Sequence, residues 1–299
     1  MEFVPCFAAE TPRANEGKLR QRSIWAVMAV AVVVPAFGTP IVNLNTASSF
    51  GLLGGTISNT GTSVVTGNVG VNVAGTITGF YPTGTTVGGS VIPPNSTAST
   101  NAYADFVSAF NAAVTLPSTQ SYSDLTTSRT FIGDNVYTFT LTNISTSTGI
   151  NLTFDAQNNP NEVFVIRIDG AFTVNGAMTF TLQNQAQANH IFWIVGTNAT
   201  ISVGISGPIT FYGDILAGQA FTMSAASGGS GVLAGTINGC VFAETANTLA
   251  GTTNVNGCSA TAGSAVPEPA SLGLVSLGLG ILSWRKFRRF ARSRFSARI

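Results

Sequence analysis

Apolar and polar residues alternate over much of this chain, most regularly between residues 178 and 242. In Met178-Thr179-Phe180-Thr181-Leu182 every second residue is apolar and threonine fills the gaps. The alternation recurs in Thr200-Ile201-Ser202-Val203, Ile209-Thr210-Phe211-Tyr212, Phe221-Thr222-Met223-Ser224 and Thr236-Ile237-Asn238. Side chains of a strand point to opposite faces in turn. Each segment therefore predicts a short strand with one apolar face and one small, hydroxylated face. Phe180, Ile201, Phe221 and Val241 lie roughly 20 residues apart, with Gly-rich breaks between them. A repeat of that length predicts a solenoid whose coils stack their apolar residues on one another, since no coil buries its face alone. The hydroxyl rows then line up outside, and that surface, not a pocket, is where function is sought.

The N-terminal half of the body carries the same punctuation. Leu52-Leu53-Gly54-Gly55-Thr56-Ile57, residues 59–71, residues 75–80 and residues 85–92 are short β-branched pieces separated by Asn-Thr-Gly and Gly-Asn turns. They read as further coils. Between residues 96 and 114 the period changes. Ala102, Phe106, Ala109, Phe110 and Ala113 fall at helical spacing, with Pro93-Pro94 before them and Pro117 after. This predicts one substantial helix whose stripe packs on the flank of the solenoid. Residues 125–139 return to short strands, and residues 153–161 read as a turn-rich link. Residues 162–168, apart from Arg167, and residues 190–195 are apolar on both faces. Such strands are covered on both sides, here by the core and by the helix.

Composition narrows the class. Charged residues are only 8% of the 299, against a usual quarter. The abundance of β-branched residues argues against disorder. Seven of the 13 basic residues lie between Arg285 and Arg298, and four more precede Ser23. Between residues 39 and 265 only Arg129 and Arg167 face eight acids, which leaves that body near −6. Two scattered arginines make no basic patch, so nucleic acid is not an expected partner.

The two ends read as addresses. Arg20-Gln21-Arg22, an apolar run over residues 24–34 and small residues at Ala36 and Gly38 predict a leader and secretory signal peptide over residues 1–38. A retained membrane anchor is the alternative, although the run is short for one. At the other end Val266-Pro267-Glu268-Pro269 precedes an apolar stretch, residues 270–284, and then Arg285-Lys286-Phe287-Arg288-Arg289. These three parts in this order resemble the PEP-CTERM sorting signal of Gram-negative bacteria. The resemblance covers residues 266–299, with Pro267, Glu268 and Pro269 as the sorting motif. It implies a short membrane helix that holds the chain transiently, an exosortase-type processing enzyme as partner, and delivery to the cell surface or extracellular matrix. A plain C-terminal anchor is the alternative. Cysteine usage agrees with export. Cys6 lies in the leader, while Cys240 and Cys258 remain as an even pair in an oxidising compartment. They predict a disulfide; two buried thiols are the alternative.

A second resemblance covers about residues 43–256. The run Asn59-Thr-Gly-Thr-Ser-Val-Val-Thr-Gly-Asn-Val-Gly-Val71, Thr76-Ile-Thr-Gly-Phe80 and the Ala-rich helix are similar to the DUF3494 ice-binding proteins. So are Phe154-Asp-Ala-Gln-Asn-Asn-Pro-Asn-Glu-Val-Phe-Val-Ile166, Ala188-Asn-His-Ile-Phe-Trp-Ile-Val195 and Gly213-Asp-Ile-Leu-Ala217. The resemblance implies a mainly β protein, an irregular β-helix of roughly triangular section with one long α-helix packed alongside, over residues 39–265. It further implies coils that are not stacked in chain order. One departure is Asp134-Asn135-Val136-Tyr137, where the family has Gly before Val-Tyr.

No catalytic constellation is present. The single histidine, His190, lies inside an apolar run, and one histidine with two cysteines gives no zinc set. Asp155, Glu162 and Asp169 are about seven residues apart, but a carboxylate pair for sugar cleavage needs a cleft, and turn positions suit solvated acids. Asp105 reads as a polar-face residue of the helix, and Arg167 as one half of a local ion pair. No cofactor or metal is expected. What remains are the hydroxyl rows: Thr179, Thr181, Thr200, Ser202, Thr210, Thr222, Ser224, Thr236 and Asn238. Rows on strands about 4.7 to 4.9 Å apart make a flat, low-charge lattice able to hold ordered water. Threonine is also common on exposed strands for propensity alone. The expectation is a secreted, non-enzymatic protein that adsorbs to the ice crystal surface. A structural or adhesive protein of the biofilm matrix, with matrix polysaccharide as partner, is the alternative.

Overall fold

The alternating segments become strands, and breaks such as Gly67, Gly79 and Gly213 become corners. The computed structural model describes residues 42–258 except 82, 142, 147–148, 176–177, 203–206 and 225–232. Among the described residues all strand pairing is parallel, and the strands lie on three faces of one stack of coils. A coil visits the three faces in a fixed order. Phe164–Ile168 lies on the first face, Ala171–Asn175 on the second and Met178–Gln183 on the third. The next coil repeats this with Ile191–Val195, Ala199–Ser202 and Ile209–Tyr212, and the next with Asp214–Ala217, Ala220–Ser224 and Leu233–Asn238. Ile166 pairs with Trp193, Trp193 with Ile215 and Ile215 with Val241, so these coils take 22 to 27 residues each. The roughly 20-residue spacing of Phe180, Ile201, Phe221 and Val241 is thus close to the coil length, but those four do not form one column. Ala199 pairs with Phe221, whereas Ile201 pairs with Met223.

The stacking does not follow the chain. Val241–Ala250 bends across two faces, and Phe50–Asn59, nearly 200 positions earlier, lies directly against it, with Leu52 on Val241 and Ser58 on Thr248. Asn68–Val71, Ile77–Thr78 and Thr85–Val87 then form the last coil beyond Phe50–Asn59 and Val64–Thr66. The opposite end is made by Gln120–Tyr122, Arg129–Ile132, Asn135–Phe139, Asn143–Thr146 and Ile150–Asp155. The chain therefore has to return from one end to the other, and the helix Thr97–Val114 makes that journey. Its 18 residues span about 27 Å, close to the ~34 Å covered by eight stacked strands.

The interior is a column of aromatic and aliphatic side chains. Phe131, Phe154, Phe180 and Phe211 succeed one another, with Phe154 5.1 Å from Phe131 and Phe180 5.0 Å from Phe211. Trp193 stacks on Phe172 at 5.3 Å, and its indole N–H donates to Tyr212 O at 2.9 Å. The helix has a separate apolar contact with the outside of the first face. Ala102, Phe106, Ala109, Phe110 and Ala113 are buried with Val136, Val165, Phe192, Ile194, Leu216, Phe242 and Leu53. Residues 162–168 and 190–195 are covered on both sides for this reason. The face is called the helix face below.

Ser96 and Arg167 secure the two ends of the helix. Ser96 Oγ caps the N-terminus by accepting from Ser99 N–H at 3.1 Å. Arg167 reaches out of its apolar strand to the other end, where Nη1 donates to Val114 O at 3.0 Å and Leu116 O at 2.7 Å. A cation there meets the negative end of the helix dipole. Asp169 lies 3.5 Å from its Nε, so the expected ion pair is present as the lesser of its contacts. Asp105 is more than a polar-face residue, since its Oδ2 accepts from Thr46 N–H at 3.0 Å and fixes the turn Asn45–Ser49 on the helix. Asp134 adopts the left-handed backbone itself, with φ 56°, and its Oδ1 accepts from Val163 N–H at 3.2 Å. Aspartate tolerates that conformation, while Asn135, at the place of the expected glycine, is not among the left-handed residues and starts the strand Asn135–Phe139, so no glycine is needed there. The predicted link over residues 153–161 is partly strand, because Ile150–Asp155 runs up to Asp155 before turning.

Candidate functional site

With the first face covered by the helix, two faces remain for solvent. The second face is built from Asn143–Thr146, Ala171–Asn175, Ala199–Ser202, Ala220–Ser224, residues 246–250, residues 56–59 and Ile77–Thr78. Its inward positions, among them Phe172, Val174, Ile201, Phe221, Met223, Leu249 and Ile57, are buried. Its outward positions align in one unbroken row. Ser145 pairs with Thr173, Thr173 with Thr200, Thr200 with Thr222, Thr222 with Thr248, Thr248 with Ser58, and Ser58 with Thr78. Seven consecutive rungs thus carry a hydroxyl. On one side of this row stand Ala171, Ala220, Ala246 and Thr56, and on the other Ser202, Ser224 and Ala250. No strand segment of this face holds a charged residue. The hydroxyls of Thr173, Thr200, Thr222 and Thr248 have no protein hydrogen-bond partner among the described residues, whereas Ser224 Oγ donates to Ser202 Oγ at 3.3 Å. We call this the threonine face.

The third face is less even. It divides into a three-stranded sheet, with Arg129–Ile132, Ile150–Asp155 and Met178–Gln183, and a five-stranded sheet, with Ile209–Tyr212, Leu233–Asn238, Thr252–Val255, Val64–Thr66 and Thr85–Val87. The first sheet carries Thr130, Thr153 and Thr181 in register, but Asp155 stands opposite Ile132 and Gln183 two positions on. In the second, the row runs Thr210, Thr236, Asn254, Val64, Thr85, with Tyr212 beside it opposite Asn238. Its polar groups are largely bonded to one another. Thr179 and Thr181 both donate to Asn151 Oδ1 at 3.1 Å, Asn256 Nδ2 donates to Asn238 Oδ1 at 2.6 Å, and Thr62 and Thr252 hydroxyls lie 2.8 Å apart. This is the mixed face.

The nine residues singled out in the sequence therefore divide. Thr200, Ser202, Thr222 and Ser224 come together on the threonine face. Thr179 and Thr181 lie on one sheet of the mixed face, and Thr210, Thr236 and Asn238 on the other. Ser145, Thr173, Thr248, Ser58 and Thr78 complete the threonine row and were missed. Thr248 and Thr173 each stand between buried residues at strand spacing, a signal present in the sequence. Ser58 and Thr78 belong to coils placed beside Val241–Ala250 only by the fold.

Of the three acids singled out in the sequence, Asp155 and Asp169 bond to other partners and Glu162 lies against Asp134. Asp155 is exposed, and hydrogen bonds from Asn184 Nδ2 at 2.7 Å and Gln157 N–H at 2.8 Å hold its carboxyl below the usual range. Burial pushes Glu162 up, with Asp134 adding to the effect, while Asn159 bonds its Oε1 at 3.0 Å. Asp214 is fully buried, and burial pushes its carboxyl up to about 8, partly offset by the Cys240 N–H at 2.9 Å. Asp214, Cys240 and Cys258 are the one cluster of potential metal ligands among the described residues, but the two sulfurs are joined as a disulfide. Disulfide sulfurs offer no thiolate to a metal. His190 is buried in the turn Ala188–His190. The leader, Pro267, Glu268, Pro269 and the apolar stretch after them lie outside the described residues. Among the described residues no helix is long and apolar enough to cross a membrane.

Comparison with known proteins agrees with this architecture. The sequence matches the Ice-binding-like family over residues 52–255 and the PEP-CTERM protein-sorting motif over residues 265–289. It is 31% identical over 206 residues to an ice-binding protein of Nostoc sp. (strain HG1), covering 67% of this chain and 72% of that protein. The crystal structure of an ice-binding protein from the Antarctic ascomycete Antarctomyces psychrotrophicus superposes with a TM-score of 0.62 at 29% identity, covering 74% of this chain and all of that one. An ice-binding protein from an Arctic yeast gives a TM-score of 0.60 at 23% identity, covering 75% of this chain and 97% of its own, a likeness of fold alone.

Proposed function

The chain belongs to the ice-binding-like family, whose members are not enzymes, and from that premise we propose that it adsorbs to ice through the threonine face. The sorting motif implies export and exosortase-mediated display at the cell surface. The unbroken seven-rung hydroxyl row, with four threonine hydroxyls uncommitted to protein partners, carries this reading. Free hydroxyls at strand spacing hold water in register with one another, and the methyl groups between them exclude disordered water. The β-branched side chain is stiff at χ1, and Thr173, Thr200, Thr222 and Thr248 stand on strands paired on both sides, so little entropy is lost when the layer meets a crystal. Adsorbed molecules pin the growth front. Ice between them then grows with a curved surface, which lowers the local freezing point and slows recrystallisation.

The test is ice shaping and recrystallisation in a slowly cooled droplet, with the purified, oxidised full chain and albumin as control. Faceted crystals and halted coarsening are expected. Round crystals and control-like coarsening from a folded sample would sink the proposal and favour a matrix protein without ice activity.

A further inference from the structure

The described chain leaves the solenoid at one particular edge. After Thr252–Val255 on the mixed face, Asn256 N–H donates to Ile237 O at 2.9 Å and Gly257 turns with φ 81°. A Cβ on Gly257 would lie 2.5 Å from Thr66 O, so the strand end is pressed into the corner where Val64–Thr66 passes to Asn68–Val71. Cys258 is then bonded to Cys240, the residue before Val241–Ala250 begins on the helix face. All these contacts lie on the edge between the mixed and helix faces. In a three-sided coil that edge is opposite the threonine face. The N-terminal approach is on the same side, with Val42, Leu44 and Ala47 buried in the cluster beneath the helix.

We propose that this exit orients the displayed protein: a chain held at the cell surface by its C-terminal sorting region is held by the edge opposite the threonine face, which then points into the medium. The sorting motif begins at residue 265. The seven steps from Cys258 reach at most about 25 Å, so the sorting motif starts within that distance of the exit edge. The disulfide makes Cys258, not a frayed end, the fixed point of that tether. The purpose of the arrangement rests on the reading of the threonine face as the ice-adsorbing surface, while its geometry does not.

The experiment uses the full chain exported by a bacterium that carries an exosortase. Thr222→azidophenylalanine marks the threonine face, and Thr66→azidophenylalanine marks the exit edge; both side chains reach solvent in the structure. Asn256→azidophenylalanine is a second exit-edge probe should the Thr66 variant fail to be exported. Intact cells and detergent-solubilised chain are labelled with a bulky, membrane-impermeant alkyne polymer. Position 222 is expected to label on cells as fast as in solution, and position 66 or 256 several-fold more slowly on cells. Slow labelling at 222, or equal labelling at both places as for a released chain, overturns the proposal. Ice shaping by the unmodified solubilised chain is scored separately. Its absence alongside the expected labelling pattern removes the ice reading and leaves the orientation standing.

Discussion

The threonine face and the mixed face are made by the same coils from similar residues, and the mixed face has more threonines. Thr130, Thr153, Thr179, Thr181, Thr210, Thr236, Thr252, Thr66 and Thr85 all lie on it. Yet its rows are interrupted by Tyr212, Asp155, Val64 and Ile132, its sheet is in two parts, and several hydroxyls and amides satisfy one another. The threonine face has fewer such residues but one register from end to end, no charge on its strand segments, and four threonine hydroxyls, those of Thr173, Thr200, Thr222 and Thr248, uncommitted to protein partners among the described residues. Hydroxyl content alone therefore does not separate the two faces; alignment and spare hydrogen-bonding capacity do, and on these the proposal for the threonine face rests.

The most direct attack on this contrast is a bulky side chain in each face. Thr222→Tyr on the threonine face lifts a crystal away from the flanking rows and should cost at least about tenfold in the concentration that halts recrystallisation, or ~1.4 kcal/mol. Thr236→Tyr, on a face already carrying Tyr212, should leave activity within about twofold of the parent, a few tenths of a kcal/mol. Recrystallisation endpoints with matched thermal melts decide it, and the reverse order would transfer the proposal to the mixed face.

Why the sequence could reach the rows but not the face follows from what sets each. Alternation decides which side chains point outward on the two solvent-facing sides, as in Ala199–Ser202, Ile209–Tyr212 and Ala220–Ser224. Membership of a face depends on where each coil turns, and Thr181, Thr200 and Thr210 look alike in sequence although successive corners separate them. The row also crosses from Thr248 to Ser58 between strands far apart in the chain. The helix was legible because its stripe is local. The work of Arg167 and Asp105 was not, because their partners Val114, Leu116 and Thr46 are remote in sequence.

The edge opposite the threonine face offers a control in which stability changes while both faces are untouched. Unfolded, the Asp214 carboxyl ionises near 3.8; folded, burial pushes it up to about 8. Between those values the folded state holds a proton that the unfolded state has released. The contribution of this group to stability is thus fullest in acid and declines as pH rises towards 8, by up to about 1.4 kcal/mol per pH unit. Asp214→Asn keeps an acceptor for the Cys240 N–H and should flatten much of that slope in denaturant melts between about pH 5 and 8. Glu162 and Glu244, also pushed up by burial, leave a residual slope of the same sign. A parent and variant with identical slopes would place the proton elsewhere.

Removing the bond at that edge is the next step down. Cys240→Ser with Cys258→Ser opens an 18-residue separation, worth roughly 3 kcal/mol and on the order of 10 °C in Tm. Ice shaping per folded molecule should be unchanged at low temperature, since neither cysteine lies on an exposed strand face. A large loss of ice activity in a fully folded double variant would mean that the exit edge, and not the threonine face, governs adsorption.

The smallest expected effect asks which half of threonine matters. Thr222→Val keeps the branched shape and removes one uncommitted hydroxyl. It should weaken recrystallisation inhibition about threefold, near the lower end of what one hydrogen bond contributes. Thr222→Ser keeps the hydroxyl but loses the methyl group and the stiffness at χ1. If Val behaves as the parent and Ser is weak, the face works by methyl spacing and water exclusion. If Ser behaves as the parent and Val is weak, anchored water is the adhesive layer. Two parent-like variants beside an inactive Thr222→Tyr would mean that flatness alone suffices, and the hydroxyl row would lose its claim as the chemical basis of the contact.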